Sequence, residues 1–253
     1  MSELRKVAAL FVYIDGPYAS EPGVDLWDEA RDARAYAGTD PVVAHPPCAR
    51  WGALRGLVRA VSGHLPGDDG GCFAHALACV RAFGGVLEHP AHSDAFNAFG
   101  LPKPSRDGGW QRGLCGGWTC RIEQGRYGHV TRKATWLHAY GCDLSSMRWG
   151  VSHDRVGALV GQAGGLSKPA RLAARAARRR GDNAAASAIL KADRLARGET
   201  RRKLSYRESS ESPEAFRAAL LALARTAVGS GELDRELAET TALHARYMQR
   251  RAA

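Results

Sequence analysis

Val42-Val43-Ala44-His45-Pro46-Pro47-Cys48-Ala49-Arg50-Trp51 decides the fold. Its first three residues have the pattern of a short buried strand. The double proline stops that strand, because proline lacks an N–H for the ladder and restricts the residue before it. Cys48 is left at the strand's carboxyl end, where open α/β sheets place their ligands. Further on, Gly85-Val86-Leu87 runs into Glu88-His89-Pro90, a second strand closed by a carboxylate and a proline. A third block at similar spacing, Arg126-Tyr127-Gly128-His129-Val130-Thr131-Arg132-Lys133, leads into Ala134-Thr135-Trp136-Leu137. A thiol, a carboxylate and a guanidinium thus stand at successive strand ends.

Around these blocks, short apolar runs alternate with Gly/Pro breaks and helical spacing, the texture of a βαβ series. Leu10-Phe11-Val12-Tyr13-Ile14 is expected as the first strand, with Asp15-Gly16-Pro17 as its turn. Residues 24–36 are expected to be helical. Cys72, Phe73, Ala76, Leu77, Cys79, Val80 and Phe83 share one face of a buried helix over 71–83, and Gly84-Gly85 ends it. Residues 89–117 are rich in loops, and 121–124 form a further strand. After Gly164-Gly165 the chain turns alanine-rich, with helices expected over 169–180, 182–197, 212–226 and 232–251. The expected division is a catalytic α/β domain over 1–165 and a basic helical region over 166–253.

Charge bounds the partner. The 253 residues carry a net +10, more than solubility requires, so an anionic partner is implied. Residues 168–207 hold 13 Lys or Arg against three acids, including Arg178-Arg179-Arg180 and Arg201-Arg202-Lys203. Such a surface neutralises phosphates without regard to sequence. A solvated alanine–arginine helix with no ligand is the plainer alternative. No apolar run approaches the roughly 20 residues that span a bilayer, so no membrane partner is expected. The first residues read as the approach to a strand rather than a signal peptide. Six scattered cysteines (Cys48, Cys72, Cys79, Cys115, Cys120, Cys142) suggest reduced thiols and a cytoplasmic location.

Over residues 42–141 the ordered blocks resemble the DNA cytosine C5-methyltransferases. Pro47-Cys48 matches that family's proline–cysteine motif. Glu88 matches its glutamate motif, with His89 in place of the usual asparagine. Tyr127-Gly128 and Arg132-Lys133 match its arginine motif in part. The resemblance implies a Rossmann-like methyltransferase sheet with helices on both faces, S-adenosyl-L-methionine as cofactor, and DNA as substrate. A compact, phage-type enzyme working in a bacterial host cytoplasm is the form implied.

The chemistry explains why such residues belong together. C5 of cytosine is a poor nucleophile until a group adds to C6, and a soft thiolate suits that addition. Cys48 is the expected nucleophile. Electron density pushed into the ring is relieved by a carboxyl at N3, assigned to Glu88 with a pKa raised by a dry pocket. Arg132 is expected to orient the base and the carboxylate. Pro47, His89, Tyr127 and Lys133 are the expected substrate contacts. None of this reaches a base inside a duplex, so the substrate is a flipped or single-stranded base.

Other readings stay open. His45 and Cys48 with Cys115 and Cys120 offer zinc-type ligands, but no Cys-x2-Cys pair occurs, and no metal is expected. A deaminase would need the second cysteine that Pro47-Cys48-Ala49-Arg50-Trp51 lacks. The cofactor motif departs from the family. Phe11-Val12-Tyr13-Ile14-Asp15-Gly16-Pro17 replaces a glycine loop, leaving Phe11, Asp15, Gly16, Asp25 and Trp27 as cofactor candidates. Sequence specificity is expected either to be low or to come from the loop around Trp110 and Trp118. The alternatives are another donor or a free-nucleotide substrate, and a non-catalytic DNA-binding protein on a degenerate fold.

Overall fold

The computed structural model describes residues 4–53, 55–144, 147–152, 158–159, 167–196, 202–203 and 211–252. The chain forms two compact units, one of Met1–Ser152 with Ser212–Ala253 and one of His153–Glu211. The first is α/β. Its seven strands are β1 (Val7–Leu10), β2 (Val24–Trp27), β3 (Val42–Ala44), β4 (Gly85–Pro90), β5 (Gln111–Arg112), β6 (Trp118–Glu123) and β7 (Ala134–Tyr140). They lie in the order β2-β1-β3-β4-β7-β6-β5. β2, β1, β3 and β4 are mutually parallel, and the pairs β4–β7, β7–β6 and β6–β5 are antiparallel.

Period-two alternation divides the sheet between two cores. Ala8, Leu10, Val42, Ala44, Leu87 and Trp136 face one side, against Phe73, Leu77 and Val80 of helix α2 (Cys72–Phe83). Val7, Ala9, Val43, Val86, Leu137 and Ala139 face the other, against Phe216, Leu220 and Leu221 of a helix at Glu214–Arg225. Gly85 has φ +129°, and a Cβ there would lie 2.0 Å from the Val42 carbonyl oxygen. Only glycine lets β4 approach β3 this closely.

The remaining helices are α1 (Arg55–Ser62), α3 (Asp94–Ala98), α4 (Lys168–Arg179), α5 (Asn183–Ala196), α6 (Glu214–Arg225) and α7 (Leu233–Ala252). The division expected at 165/166 is corrected: α6 and α7 belong to the first unit, and only 153–211 stand apart. Composition misled because α6 and α7 share the alanine-rich texture of α4 and α5, while α6 buries Phe216, Leu220 and Leu221 and α7 packs the partly buried Leu233, Leu243 and Tyr247 on the core. Gly164-Gly165 and Arg201 fall outside the described residues. In the second unit α4 and α5 close on Ala174, Ala177, Ala186 and Leu190. Ser167 caps α4 by accepting from the Ala170 N–H, and Arg171, Arg175, Arg178 and Arg179 are exposed.

Two local expectations are also corrected. The first strand is Val7–Leu10, and Phe11 leaves it with φ +60°. Tyr13 and Ile14 are exposed, so burial of the small Val7-Ala8-Ala9 run outweighed the β propensity of the bulkier residues. Residues 24–27 form a strand, not a helix. Val24 and Leu26 pack on one core while Trp27 packs on the other, an alternation that the expected helical spacing obscured.

Candidate active site

β1 leads to β2 on one side, while β3 lies on its other side, so the topological switch falls between β1 and β3. Ligands of open α/β sheets sit outside the strand ends at such a point. Register fixes what meets there. Leu10, Ala44 and Leu87 are level across β1, β3 and β4, so His45 and Glu88 are neighbours one step beyond. Their side chains meet, with His45 Nδ1 3.1 Å from Glu88 Oε2. The hydroxyl of Tyr18, from the loop after β1, lies 2.9 Å from His45 Nε2. From the far side Gln124 Nε2 donates to Thr135 Oγ1 at 3.0 Å and more weakly to Glu88 Oε1 at 3.4 Å.

Glu88 is 12% exposed at its side chain. Burial pushes its carboxyl up, but the hydrogen bond from His45, with smaller help from Lys133 and His89, outweighs it and leaves the group below its ordinary value. The expectation of a raised pKa is thereby corrected, because a donor on the neighbouring strand end favours the carboxylate. Cys48 is exposed. The protein around its sulfur raises the thiol, the Glu88 charge raises it further, and its own backbone hydrogen bond and Lys133 draw it down. The charges of Glu88 and Lys133 therefore both reach Cys48. Lys133, the residue before β7, has φ +34°, a region costly for a side chain and often found at functional sites.

The Cys48 turn is built on a buried anchor. Its carbonyl accepts from the N–H groups of Trp51 and Gly52 at 3.1 and 2.8 Å. Trp51 is fully buried. Its Nε1 donates to Asp69 Oδ2 at 2.7 Å, while Asp69 also accepts from the N–H groups of Gly71 and Phe73 at the start of α2. Tyr247 of α7 packs on the indole, 5.3 Å between ring centroids.

Several expected contacts lie elsewhere. Arg132 grips Glu123, with Nε 3.0 Å from Oε2 and Nη2 2.6 Å from Oε1. Glu123 also accepts from Arg121 and from the Ser152 N–H. Arg132 does hold a carboxylate bidentately, but that carboxylate is Glu123. Its replacement by alanine is expected to lower stability by roughly 1–3 kcal/mol, the cost of removing a partner from a buried carboxylate. Thermal melting of the Arg132→Ala protein checks it.

His89 alternates with Glu88 and points to the opposite face. It is fully buried, edge-on to Phe73, with Nδ1 2.6 Å from Ser93 Oγ. Tyr127 is buried against Phe216, and its hydroxyl accepts from the Arg148 N–H. Both residues are corrected from substrate contacts to core. Pro47 is exposed beside Cys48. Trp110 packs edge-on to Trp149, 6.0 Å between centroids, so it is tied into the structure rather than displayed.

The cofactor candidates lie at the ends of β1 and β2, but they do not form an open cradle. Phe11 stands where a glycine backbone would be needed, and Asp15 and Gly16 belong to the following loop. Both oxygens of Asp25 are taken, one by Trp27 Nε1 at 2.7 Å and one by Arg31 at 2.7 Å. The Arg31 guanidinium lies 3.9 Å from the centroid of the Trp27 ring. The acid for a ribose and the aromatic face for an adenine are thus engaged by the chain itself, and in this arrangement they do not fit S-adenosyl-L-methionine.

Sequence reading weighed His45 only as a metal ligand and missed Tyr18 and Gln124. The signal for His45 was its place beside the Pro46-Pro47 stop, level with Glu88 once the strands are parallel. Among the described residues, no group of three or more His, Cys, Asp or Glu side chains is placed to hold a metal ion, and no helix is long and apolar enough to cross a membrane. No family model, curated protein or solved structure matches the chain.

Proposed function

We propose that this chain is a DNA pyrimidine C5-modifying enzyme that works through a covalent bond between Cys48 Sγ and C6 of the base. Cytosine is the base, and methylation is the modification that the motif resemblance implies. The observation that carries this reading is the grouping at the switch point of an exposed thiol, a buried carboxylate on the next strand, and a lysine whose charge reaches both. Glu88 faces the ring nitrogen, and Lys133, rather than Arg132, supplies the cation for the base's carbonyl oxygen. The mixed α/β sheet with a helix on each face is compatible with the Rossmann-like methyltransferase fold. The net charge and the exposed arginines of α4 favour DNA as the anionic partner.

The engagement of Asp25 and Trp27 by Arg31 favours a second reading, in which the same covalent chemistry serves another one-carbon donor or a free nucleotide. The test is nucleoside mass spectrometry of DNA from cells that express the protein and cells that do not. A 5-methyldeoxycytidine peak confined to expressing cells supports the first reading. Another modified pyrimidine points to another donor, and unchanged DNA removes the polymer substrate. Calorimetric titration with S-adenosyl-L-methionine separates the donors: measurable binding supports the methyl donor that the resemblance implies, and none supports the alternative.

A further inference from the structure

Tyr18, His45 and Glu88 form a chain whose direction is set by which atoms carry hydrogens. A carboxylate only accepts, so His45 Nδ1 carries the proton across the 3.1 Å contact to Glu88 Oε2. The Tyr18 hydroxyl is buried, and among the described residues it has no hydrogen-bond partner other than His45 Nε2, 2.9 Å away. Its hydrogen therefore goes to Nε2, and the imidazole is neutral with Nδ1–H. Tyr18 keeps that hydrogen, because burial pushes its phenol far above the ordinary value; the Glu88 and Glu21 charges add to the effect and Arg217 opposes it. The charged or titratable groups facing Glu88 are His45, Lys133, Tyr18 and Cys48, and His89 acts on it only through its charge from the opposite face of the sheet.

We infer that Tyr18 and His45 are positioning residues that hold Glu88 as a carboxylate ready to take the Cys48 thiol proton and pass it to the pyrimidine. The inference rests on the covalent reading of the site. On binding, the thiol proton moves to Glu88 and a sulfur lone pair forms the S–C6 bond. The C5=C6 pair shifts to C4–C5, the C4=N3 pair moves onto N3, and N3 takes the proton from Glu88. The proton lost by the nucleophile is the one gained by the ring, Glu88 returns to carboxylate, and no outside acid is consumed. His45 stays neutral throughout and donates to Glu88 in both states, as the orienting partner of a catalytic pair does.

The test has two arms. In the first, the full chain with ¹⁵N-labelled histidine is studied by NMR at pH 7.5, with His45→Ala assigning the signal. A neutral Nδ1–H imidazole is expected; an imidazolium or an Nε2–H tautomer overturns the inference. In the second, the rate of covalent adduct formation with single-stranded DNA containing 5-fluorocytosine is followed from pH 4 to 9, at each pH where circular dichroism shows the folded protein. Tyr18→Phe frees the imidazole to populate both tautomers and weakens its hold on Glu88. The acid limb, which the low Glu88 carboxyl places at the bottom of this range, should then move up by about one pH unit, with several-fold slower reaction at the lowest pH and little change at pH 8.5. A Tyr18→Phe profile that superimposes on wild type overturns the inference while leaving the covalent reading intact. Absence of any adduct with the wild-type protein overturns the covalent reading and the proton transfer with it, whatever the tautomer.

Discussion

If the proposed function holds, Cys48→Ala should abolish DNA modification and adduct formation, whereas Glu88→Gln should lower modification by about 10²- to 10⁴-fold, the range for loss of a positioned proton donor, and make Cys48 more reactive toward a simple alkylating agent. The two effects of Glu88→Gln have opposite signs because Glu88 plays two parts. Its negative charge raises the Cys48 thiol, so a neutral amide of the same shape increases the thiolate fraction at pH 7.5. Alkylation by iodoacetamide, followed at the Cys48 peptide by mass spectrometry, should then accelerate several-fold. In the proposed reaction ring activation needs the proton that Gln cannot pass on, so catalysis should fall while the nucleophile improves. Normal DNA modification by the Glu88→Gln protein would show that another group protonates the ring. Slower alkylation would show that Glu88 assists the resting thiol rather than opposing its ionisation.

The second large effect is on stability in acid. Burial holds His89 at about 4, and burial with the charge of Arg81 holds His138 at about 3, against about 6.5 in an unfolded chain. Above pH 6.5 both states bind no proton there, and the histidines add no pH dependence. Below it the unfolded chain takes protons that the native one refuses, so stability is lost as pH falls from 6.5 toward 4 and then 3. The slope approaches 1.4 kcal/mol per pH unit for each histidine, or about 4 kcal/mol together by pH 5. His75, also lowered by burial, has the same sign. Glu88 and Glu123, both held low against burial by hydrogen bonds and nearby positive charge, withdraw their stabilisation at lower pH still. Urea midpoints at pH 7.5, 6 and 5 should therefore fall steeply. His138→Phe should flatten the curve, since both ring nitrogens of His138 are buried without a hydrogen-bond partner. A midpoint unchanged down to pH 5 would show that these histidines titrate normally in the native state.

Much of this was legible in the chain itself. The Pro46-Pro47 stop, the Gly84-Gly85 turn and the apolar face of 71–83 are local signals, and they set β3, β4 and α2 close to their observed bounds. Cys48 and Glu88 followed from the same signals, because the end of a strand is a property of its own residues. Helices α4 to α7 were readable from alanine spacing and caps, but the body each belongs to was not. Membership depends on which apolar residues find a partner: Phe216, Leu220 and Leu221 find the sheet, while Ala174 and Ala177 find only Ala186 and Leu190.

What the tertiary structure alone decided is the company each site residue keeps. Sequence placed Arg132 and Lys133 side by side and favoured Arg132 as the orienting cation. The fold turned Arg132 onto Glu123 and brought the charge of Lys133 to Cys48 and Glu88. Register between parallel strands put His45 beside Glu88, and a loop from the end of β1 put Tyr18 beside His45. These pairings join residues far apart in the chain, so no local propensity encodes them. Sequence determined which groups end the strands; packing of the strands determined which of those groups meet.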